Sequence, residues 1–584
     1  MLLDECREVE AYQDRYDFFN MHKKVKEMTG RIKRRQPDVL VNKNGDLILE
    51  PIDKLARWSE YIQELFNDNR IELENPDMEY TGPEILREEL EQAIKNCKSG
   101  KAAGPDEVPA ELLKIIGEDS IDILLKLFNN IYETGRIPSD WLASTFVTLP
   151  KKNKARECSD HRIIALMSHT LKIFLKIIHN RIYKDLEQDI SDTQMGFRKG
   201  VGTREALFGL NVLRQRCLDM NHDMYICFID FQKALDRVQH TKLLEILKRK
   251  NIDSKNIRII SNLYWHQTAR VKVGEDMSEE IKICRGVRQG CVLSPLLFNV
   301  YSEGIFEEAL SEETGGIVIN GERLNNLRYA DDTVIFADSL EDLQHLVEVT
   351  DTACKRYGLD MNLKKTKVMT TSKNSSTNHN RPSININNNK LEWVSSYKYL
   401  GTWVTETAEH TKEIKCRIEV ARSAFIKMNK ILCSRDITLE LRTRILKCYI
   451  FSILLYGMEA WTLKSENIKN IEAFEMWCYR RMLRIPWVDK ISNDEVLRRM
   501  NKDKEISNTI KGRKLEYLGH VLRGDRYNIL KLIIQGKIKG KRTIGRRRIS
   551  WLRNLREWFG CTSAELFRRA IDKVRVVVMI SNLR

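Results

Sequence analysis

The chain has 584 residues, of which 42% are apolar and 31% charged, and its formal net charge is +16. This length suggests two to four domains. The basic surplus fits a polyanionic partner about as well as it fits an ordinary solvated surface. No apolar run reaches the roughly 18 residues of a membrane span, so we expect no membrane partner. The 13 cysteines contain no CxxC pair, which argues against structural zinc and, without a secretory signal, indicates an intracellular protein.

The N-terminal eighty residues predict helices interrupted by an extended stretch at 41–50, where Asn44-Gly45 is a turn dipeptide. Apolar side chains recur at helical spacing on one face of residues 58–66. The basic segment 22–35 is either a solvated helix face or a nuclear-import or nucleic-acid patch.

Residues 81–220 are predicted to be mostly helical. Short apolar or alternating segments predict strands at 144–152, 225–231, 269–274, 279–286 and 315–338. A polar stretch rich in Asn and Ser at 372–390 predicts a loop or flexible link. Helical patterns follow from 407 to 480, and the last hundred residues are strongly basic.

Two adjacent acids, Asp331 and Asp332, interrupt an alternating apolar run. Unpaired buried carboxylates are costly, so a tight turn should bring them to the sheet surface, where they can hold a cation. Asp230 lies near the end of a second predicted strand. Two strand-borne acids suit two-metal phosphoryl transfer, because Mg²⁺ prefers carboxylate oxygens on rigid neighbouring elements. Each signal alone is weak. The pair Asp331–Asp332 also fits an ordinary hairpin turn, and Asp230 also fits a helix cap.

Eight motifs occur in a fixed order along the chain. They are KAAGPDEVPAELLK (101–114), the segment 151–182, QMGFRKGVGTREALF (194–208), FIDFQKALDRV (228–238), GVRQGCVLSPLLFNVY (286–301), YADDTVIFAD (329–338), GLDMNLKKTKVM (358–369) and YKYLG (397–401). With these motifs the chain resembles the reverse transcriptases of non-LTR (LINE-type) retrotransposons, from about residue 81 to about 435 and on both sides. The residues of these motifs resemble the retrotransposon enzymes more closely than the proteins of group II introns.

The resemblance implies an α+β right-hand polymerase fold with fingers, palm and thumb. We expect a helical N-terminal linker at 1–80, fingers and palm at 81–405, thumb-like helices at 406–450, and a mostly helical, basic nucleic-acid-binding region at 451–584. The implied function is RNA-directed DNA polymerase, adding dNTPs to the 3′-hydroxyl of a DNA primer, or of nicked target DNA, on an RNA template. The implied cofactors are two Mg²⁺ ions, with Mn²⁺ able to replace them, and the implied location is a nuclear and cytoplasmic ribonucleoprotein.

The same resemblance assigns metal and proton-transfer roles by position. Asp230 and Asp331 would bind both ions, Asp332 would support the site, and the Phe231 carbonyl would add a ligand. Lys365 would protonate the departing pyrophosphate. A surface charge is the alternative for Lys365.

Substrate contacts are assigned in the same way. Arg162, with Lys151 or Lys152, would bind the incoming triphosphate, although Arg162 also fits a mere surface charge. Gln289 and Gly290 would lie beside the nascent base pair. The primer grip would be Tyr399, Leu400 and Gly401, although a plain hairpin explains these three residues nearly as well.

Two positions depart from the family pattern. Ile163 stands where the family usually has Pro, and Leu235 stands where it usually has the Phe that excludes a ribose 2′-hydroxyl. Leucine is narrower and more flexible, so we predict weak exclusion of ribonucleotides. Both departures also fit a decayed or co-opted element copy.

Both ends of the chain carry further expectations. Residues 1–80 resemble the linker that follows an endonuclease domain, so we expect an N-terminally truncated chain without target-nicking activity. In the C-terminal part, tryptophans interleave with arginines, which suits stacking on unpaired bases and contact with phosphates, or alternatively a helix core with an exposed basic face. The residues are Trp477, Trp487, Trp551, Trp558, Arg480, Arg481, Arg484, Arg546, Arg547 and Arg548.

Two alternatives to an active retrotransposon polymerase stay open. A maturase-like enzyme would need a different C-terminal module. A catalytically decayed or co-opted nucleic-acid-binding protein conflicts with the intact Asp230, Asp331 and Asp332, but it fits Leu235 and Ile163.

Overall fold

The computed structural model describes residues 2–29, 39–70, 80–152, 154–372, 382–541 and 548–583. Its first elements are α1 (Leu2–Asp14), α2 (Phe18–Met28), β1 (Leu40–Val41), β2 (Leu47–Ile48) and α3 (Pro51–Phe66). Next come α4 (Arg87–Lys95), α5 (Ala110–Lys114), α6 (Glu118–Thr134), α7 (Ser139–Leu142), β3 (Ala143–Pro150), β4 (His161–Leu166), α8 (His169–Gln188), α9 (Thr203–Asp219) and β5 (Met224–Ile229).

The middle of the chain alternates between helices and short strands. It contains α10 (His240–Lys248), α11 (Ser254–Trp265), β6 (Thr268–Val273), β7 (Asp276–Met277), β8 (Ile281–Lys282), α12 (Ser294–Leu310), β9 (Ile317–Ile319), β10 (Glu322–Leu324), β11 (Asn326–Tyr329), β12 (Asp332–Ala337), α13 (Leu340–Arg356) and β13 (Lys367–Thr371).

The last third begins with short strands and ends in helices. The strands are β14 (Asn385–Ile386), β15 (Asn389–Lys390), β16 (Glu392–Trp393), β17 (Ser396–Tyr399) and β18 (Thr402–Thr405). The helices are α14 (Thr411–Lys427), α15 (Asn429–Leu432), α16 (Leu439–Leu446), α17 (Ser452–Leu454), α18 (Ser465–Leu483), α19 (Asn493–Met500), α20 (Glu505–Arg523), α21 (Asn528–Gln535), α22 (Trp551–Phe559), α23 (Ser563–Ile571) and α24 (Lys573–Ser581).

The first five-stranded sheet, which we call the fingers sheet, has the order β4-β3-β6-β7, with β8 also paired to β6. β3 runs antiparallel to β4 and parallel to β6. Helix α3 packs on this sheet through Trp58, Ile62 and Phe66, whose rings and branches bury the apolar face predicted from the sequence. Strand β3 agrees with the extended piece predicted at 144–152, but the sequence did not predict β4. β4 was missed because its six residues are stabilised by pairing with β3 rather than by a strong local pattern.

The second five-stranded sheet, the palm sheet, has the order β11-β12-β5-β13-β16. β5 is central and runs antiparallel to both neighbours. Its side chains alternate between two separate cores, with Cys227 and Ile229 in one and Ile226 and Phe228 in the other. A strand that is apolar on both faces reads as a continuous apolar run, which explains the sequence YICFI.

The first of these two cores lies among helices α8, α10, α11, α12 and α13. The second is closed by α9 and by the C-terminal helices α20 to α24. A third core joins α1 and α2 to the helices α14–α18, which we call the helical bundle. The boundaries at 80, 405 and 450 stay predictions; the packing places α1 and α2 with the bundle and α3 with the fingers sheet. In the described ranges, every helix is too short or too polar to cross a membrane.

Candidate active site

A tight turn presents two carboxylates at one end of the palm sheet. β11 and β12 pair up to Asp332, which leaves Ala330 and Asp331 as the turn residues. Ala330 has a left-handed backbone (φ 57°), a conformation that two-residue hairpin turns require. The register between β12 and β5, continued by one residue, sets Asp332 opposite Asp230. The three predicted acids therefore meet at the same edge.

The buried side chain of Gln194 holds this turn in place. Its Oε1 accepts hydrogen bonds from the backbone nitrogens of Ala330 and Gly196, both at 2.9 Å, and its Nε2 donates to the Ala330 carbonyl at 3.4 Å. The backbone nitrogen of Met195 also donates to the Arg328 carbonyl at 2.8 Å. Sequence reasoning did not single out Gln194, although it opens the quoted motif QMGF.

Lys365 lies beside the first acid, and its role in protonating the pyrophosphate stays a prediction. Its Nζ is 3.2 Å from Oδ2 of Asp230. The backbone of Asp230 is fixed as well, because its carbonyl accepts from the Asn362 nitrogen at 2.7 Å and its nitrogen donates to the Thr366 hydroxyl at 3.4 Å. The segment that carries Lys365 thus buttresses the end of β5.

The carboxylates perturb one another. Burial, followed by the charge of Asp230, raises the pKa of Asp331, while Arg162 and Lys365 oppose the rise. Burial and then the charges of Asp331 and Asp230 raise the pKa of Asp332 to about 7. The side chain of Asp332 still reaches solvent, so its environment is a crowded cleft rather than a closed core. A cluster of like charges in such a cleft is relieved by proton or cation binding.

The donor set suits a hard divalent cation. The described residues contain no group of three or more His, Cys, Asp or Glu arranged to hold a metal. Mg²⁺, however, is commonly bound by one or two carboxylates together with substrate phosphates and water rather than by an all-protein cage. Asp230 and Asp331 can supply those carboxylates, and Phe231 follows Asp230 directly in the chain.

The residues predicted to lie beside the nascent base pair contact the loop that follows β5. Gln289 Nε2 donates to Oδ1 of the buried Asp236 at 2.7 Å, and the Gln289 carbonyl accepts from the Ala165 nitrogen at 2.8 Å. Gly290 has φ 117°, and a Cβ there would lie 3.0 Å from the Ala165 carbonyl oxygen, so this close approach needs glycine. The Leu235 carbonyl accepts a 2.8 Å hydrogen bond from the segment just before Gln289. The segment 287–290 therefore connects the loop after β5, through Leu235 and Asp236, to Ala165 on strand β4.

The predicted triphosphate ligands divide into two groups. Arg162 on β4 is exposed, and its charge acts on Asp331. Partial burial, and then the charge of Lys365, lowers the pKa of Lys151. Lys152 instead pairs with Asp160 at 2.8 Å. Of the two lysines, Lys151 is therefore the one whose charge interacts with Lys365, which contacts Asp230.

The predicted primer grip is a hairpin turn that contacts the helical bundle. Leu400 and Gly401 have left-handed backbones (φ 45° and 80°) between β17 and β18. The Leu400 carbonyl accepts from the Tyr456 hydroxyl at 3.0 Å, and the Gly401 carbonyl accepts from Arg417 at 2.5 Å. Tyr399 is buried in the core behind the sheet. A primer contact by these residues stays a prediction.

One contact near the nucleotide loop was not foreseen. Lys233 precedes Leu235 with a left-handed backbone (φ 52°), and its Nζ donates to the hydroxyl of Tyr61 on α3 while lying 4.3 Å from that ring. Burial lowers the pKa of Lys233 to about 8. Tyr61 was recognised only as part of an apolar helix face, because nothing in a single sequence links residues 172 positions apart.

The C-terminal tryptophans do not share one environment. Trp551 is fully buried against Phe208, with ring centroids 4.8 Å apart, so it belongs to the core. Trp477 is only partly buried, with the guanidinium of Arg481 4.9 Å from its ring centroid. The Trp487 side chain, Arg546 and Arg547 lie outside the described residues.

Comparison with known proteins agrees with this geometry. Residues 149–404 match the family described as reverse transcriptase (RNA-dependent DNA polymerase). This segment contains every predicted site residue and is a reverse transcriptase domain, which confirms the α+β fold with fingers and palm. Polymerases of this family generally use divalent metals.

The relatives are polymerases of non-LTR elements. The chain is 23% identical to the RNA-directed DNA polymerase from mobile element jockey of Drosophila melanogaster, covering 69% of this chain and 44% of that protein. It is 31% identical to the Pol polyprotein from the type-1 retrotransposable element R2 of Nasonia vitripennis, covering 47% and 26%. The chain thus spans less than half of these relatives. A telomerase structure from Candida tropicalis covers 49% of this chain and 59% of its own at 15% identity, with a TM-score of 0.34 too low to support an argument.

Proposed function

We propose that this chain is an RNA-directed DNA polymerase that adds dNTPs to the 3′-hydroxyl of a DNA primer on an RNA template. The main support for the proposal is that Asp230, Asp331 and Asp332 lie together at one edge of the palm sheet. All three lie in the segment 149–404 that matches the reverse transcriptase family. The proposal extends to priming from nicked target DNA and to a ribonucleoprotein present in nucleus and cytoplasm, as expected for a relative of non-LTR polymerases.

Asp230, Asp331 and the Phe231 carbonyl would hold two Mg²⁺ ions, which supply activation of the primer hydroxyl and neutralisation of the leaving pyrophosphate. Asp332 adds negative charge beside this pair. Gln194 keeps the turn rigid, so that Asp331 is positioned before substrate arrives. Lys365 is exposed and long enough to leave Asp230 and donate a proton to the pyrophosphate oxygen.

The remaining residues orient the nucleotide. Arg162 and Lys151 bind the triphosphate, since neither side chain forms a salt bridge with a carboxylate among the described residues. Leu235, whose carbonyl accepts a hydrogen bond from the segment before Gln289, would contact the ribose. Gln289 and Gly290 would lie beside the nascent base pair. The Lys233–Tyr61 contact braces this loop from the N-terminal side.

Primer extension tests the proposal. Wild-type protein is incubated with poly(rA)/oligo(dT), Mg²⁺ and dTTP beside the Asp331→Ala variant. We expect extension by the wild type and a loss of at least about 100-fold in the variant, because a charged group at the reacting centre is removed. Equal extension by both proteins would contradict the assignment of Asp331.

A second candidate is a catalytically decayed, element-derived protein that binds nucleic acid without copying it. Leu235 and Ile163, the two departures from the family pattern, favour it. A folded wild-type protein that binds RNA and gives no extension in the same assay would support this second candidate.

A further inference from the structure

A basic groove lies outside the polymerase cleft, between α15 and α18 of the helical bundle. Its volume is about 1000 Å³. The residues that matter for its chemistry are Lys430, Asp436, Trp477, Arg480, Arg481 and Arg484. None of the residues assigned above to catalysis, nucleotide binding or the primer grip lines it.

The groove holds four cations and one carboxylate. Arg480 donates to the Ile491 carbonyl at 2.7 Å and to the Asn493 amide oxygen at 2.9 Å. Arg484 donates to the Cys433 carbonyl at 2.9 Å. These bonds fix two guanidinium groups without neutralising them. Across the described ranges, none of the four cations forms a salt bridge with a carboxylate, so the groove retains a strong positive charge that suits a polyanion.

An aromatic wall stands beside these cations. Trp477 stacks on Phe474 with ring centroids 5.7 Å apart and an interplanar angle of 17°. The guanidinium of Arg481 lies 4.9 Å from the Trp477 centroid, and that of Arg422 lies 5.4 Å from it. Unpaired bases stack on aromatic rings and on arginine planes alike, so the Trp477–Arg481 pair can receive a base while nearby cations meet phosphates.

We propose that this groove binds single-stranded RNA. One unpaired base would rest against Trp477 and Arg481, with adjacent phosphates on Lys430, Arg480 and Arg484. RNA rather than DNA is indicated by Asp436, whose carboxylate can accept a hydrogen bond from a ribose 2′-hydroxyl, a group that DNA lacks. The site does not depend on polymerase activity, because binding there needs no catalytic residue.

Fluorescence anisotropy of the full chain tests this inference, with labelled U20 RNA, the matching single-stranded DNA and an RNA–DNA hybrid as probes. The test variant is Lys430→Gln/Arg481→Gln. The control is Lys95→Gln/Lys126→Gln, which removes the same charge from exposed positions on α4 and α6. Each lost phosphate contact changes the slope of log K against log salt by about 0.7. We expect the test variant to lose about 0.7 of that slope, from the phosphate contact of Lys430. We also expect it to lose roughly tenfold in RNA affinity near 0.15 M salt, because the stacking contact of Arg481 is lost as well.

The control variant should keep the wild-type slope within a few tenths. Equal RNA affinity in the test and control variants would overturn the proposal. An equal loss on DNA would overturn the RNA assignment, and an equal loss on the hybrid would place the groove in the template–primer path instead. Because the readout is binding alone, failure of the polymerase proposal would leave these outcomes interpretable.

Discussion

Replacing Gly196 by alanine should disable the active site without touching an acid. Gly196 lies directly beneath the turn that carries Asp331. A Cβ at this position would lie 2.2 Å from the Ala330 nitrogen and 2.8 Å from the Tyr329 carbonyl carbon. These are backbone atoms, so no side chain can rotate out of the way.

The size of the effect follows from these distances. Ordinary van der Waals contact begins at 3.4 Å, so the turn must retreat by roughly 1 Å. A misplacement of about 1 Å at a reacting centre costs about 100-fold in rate. We therefore expect kcat for primer extension to fall about 100-fold, while affinity for template–primer stays unchanged because its basic contacts are not altered.

The assay is steady-state dTTP incorporation, with Gly117→Ala as the matched control. Gly117 precedes α6 with φ −76°, and a Cβ there meets nothing within 4 Å. The control should retain near wild-type activity. Thermal unfolding of both variants separates local displacement from global unfolding. A folded Gly196→Ala variant with kcat within threefold of the wild type would refute the role given to this close approach.

Three further predictions concern the nucleotide loop and the C-terminal core. Leu235→Phe should raise the preference for dNTP over rNTP at least about tenfold in competitive incorporation, and an unchanged preference would contradict the role of Leu235. Tyr61→Ala should raise KM for dNTP about tenfold, because it removes both the ring and the hydroxyl beside Lys233. Tyr61→Phe should raise KM only about threefold, because phenylalanine keeps the ring. Equal KM values in both variants and the wild type would contradict this role of Tyr61. Lys514 is buried, and its Nζ donates a 2.7 Å hydrogen bond to the Trp461 carbonyl. Burial lowers the pKa of Lys514, so the unfolded chain binds more protons than the folded chain. The free energy of unfolding should therefore rise as the pH rises toward 10.5. Urea unfolding of the wild type at pH 7 and 9 should show this rise, which is at most about 1.4 kcal/mol per pH unit. The Lys514→Met variant should not show it. Parallel pH profiles of stability in the two proteins would contradict the prediction.

The sequence predicted the palm strands and their acids because both depend on local patterns. The alternation at 315–338 and the apolar run before Asp230 are both local signals, and the structure has four strands in the first segment and β5 in the second. The motif order then gave the fingers and palm, which the family match confirms.

The parts that escaped prediction depend on contacts between distant segments. Gln194 binds a turn 136 residues away, and Tyr61 meets Lys233 across 172 positions. Periodicity reported only that Tyr61 lies on a helix face. It could not report what that face covers, because a single sequence carries no information on pairing partners. Trp551 shows the same limit, since its spacing fitted a base-stacking surface and a core equally, and only the packing against Phe208 decides for the core.

The second core of the palm sheet has a practical consequence for anyone expressing pieces of this chain. Phe208, inside the segment recognised as reverse transcriptase, packs edge-on against Tyr517 and Trp551, which lie far beyond residue 404. At the other end, Ile163 and Ala165 share a buried cluster with Trp58 and Phe66 of α3, which lies well before residue 149. A fragment cut at the limits of sequence similarity would expose both surfaces to water and aggregate, so shorter versions should keep α3 and the helices through α24.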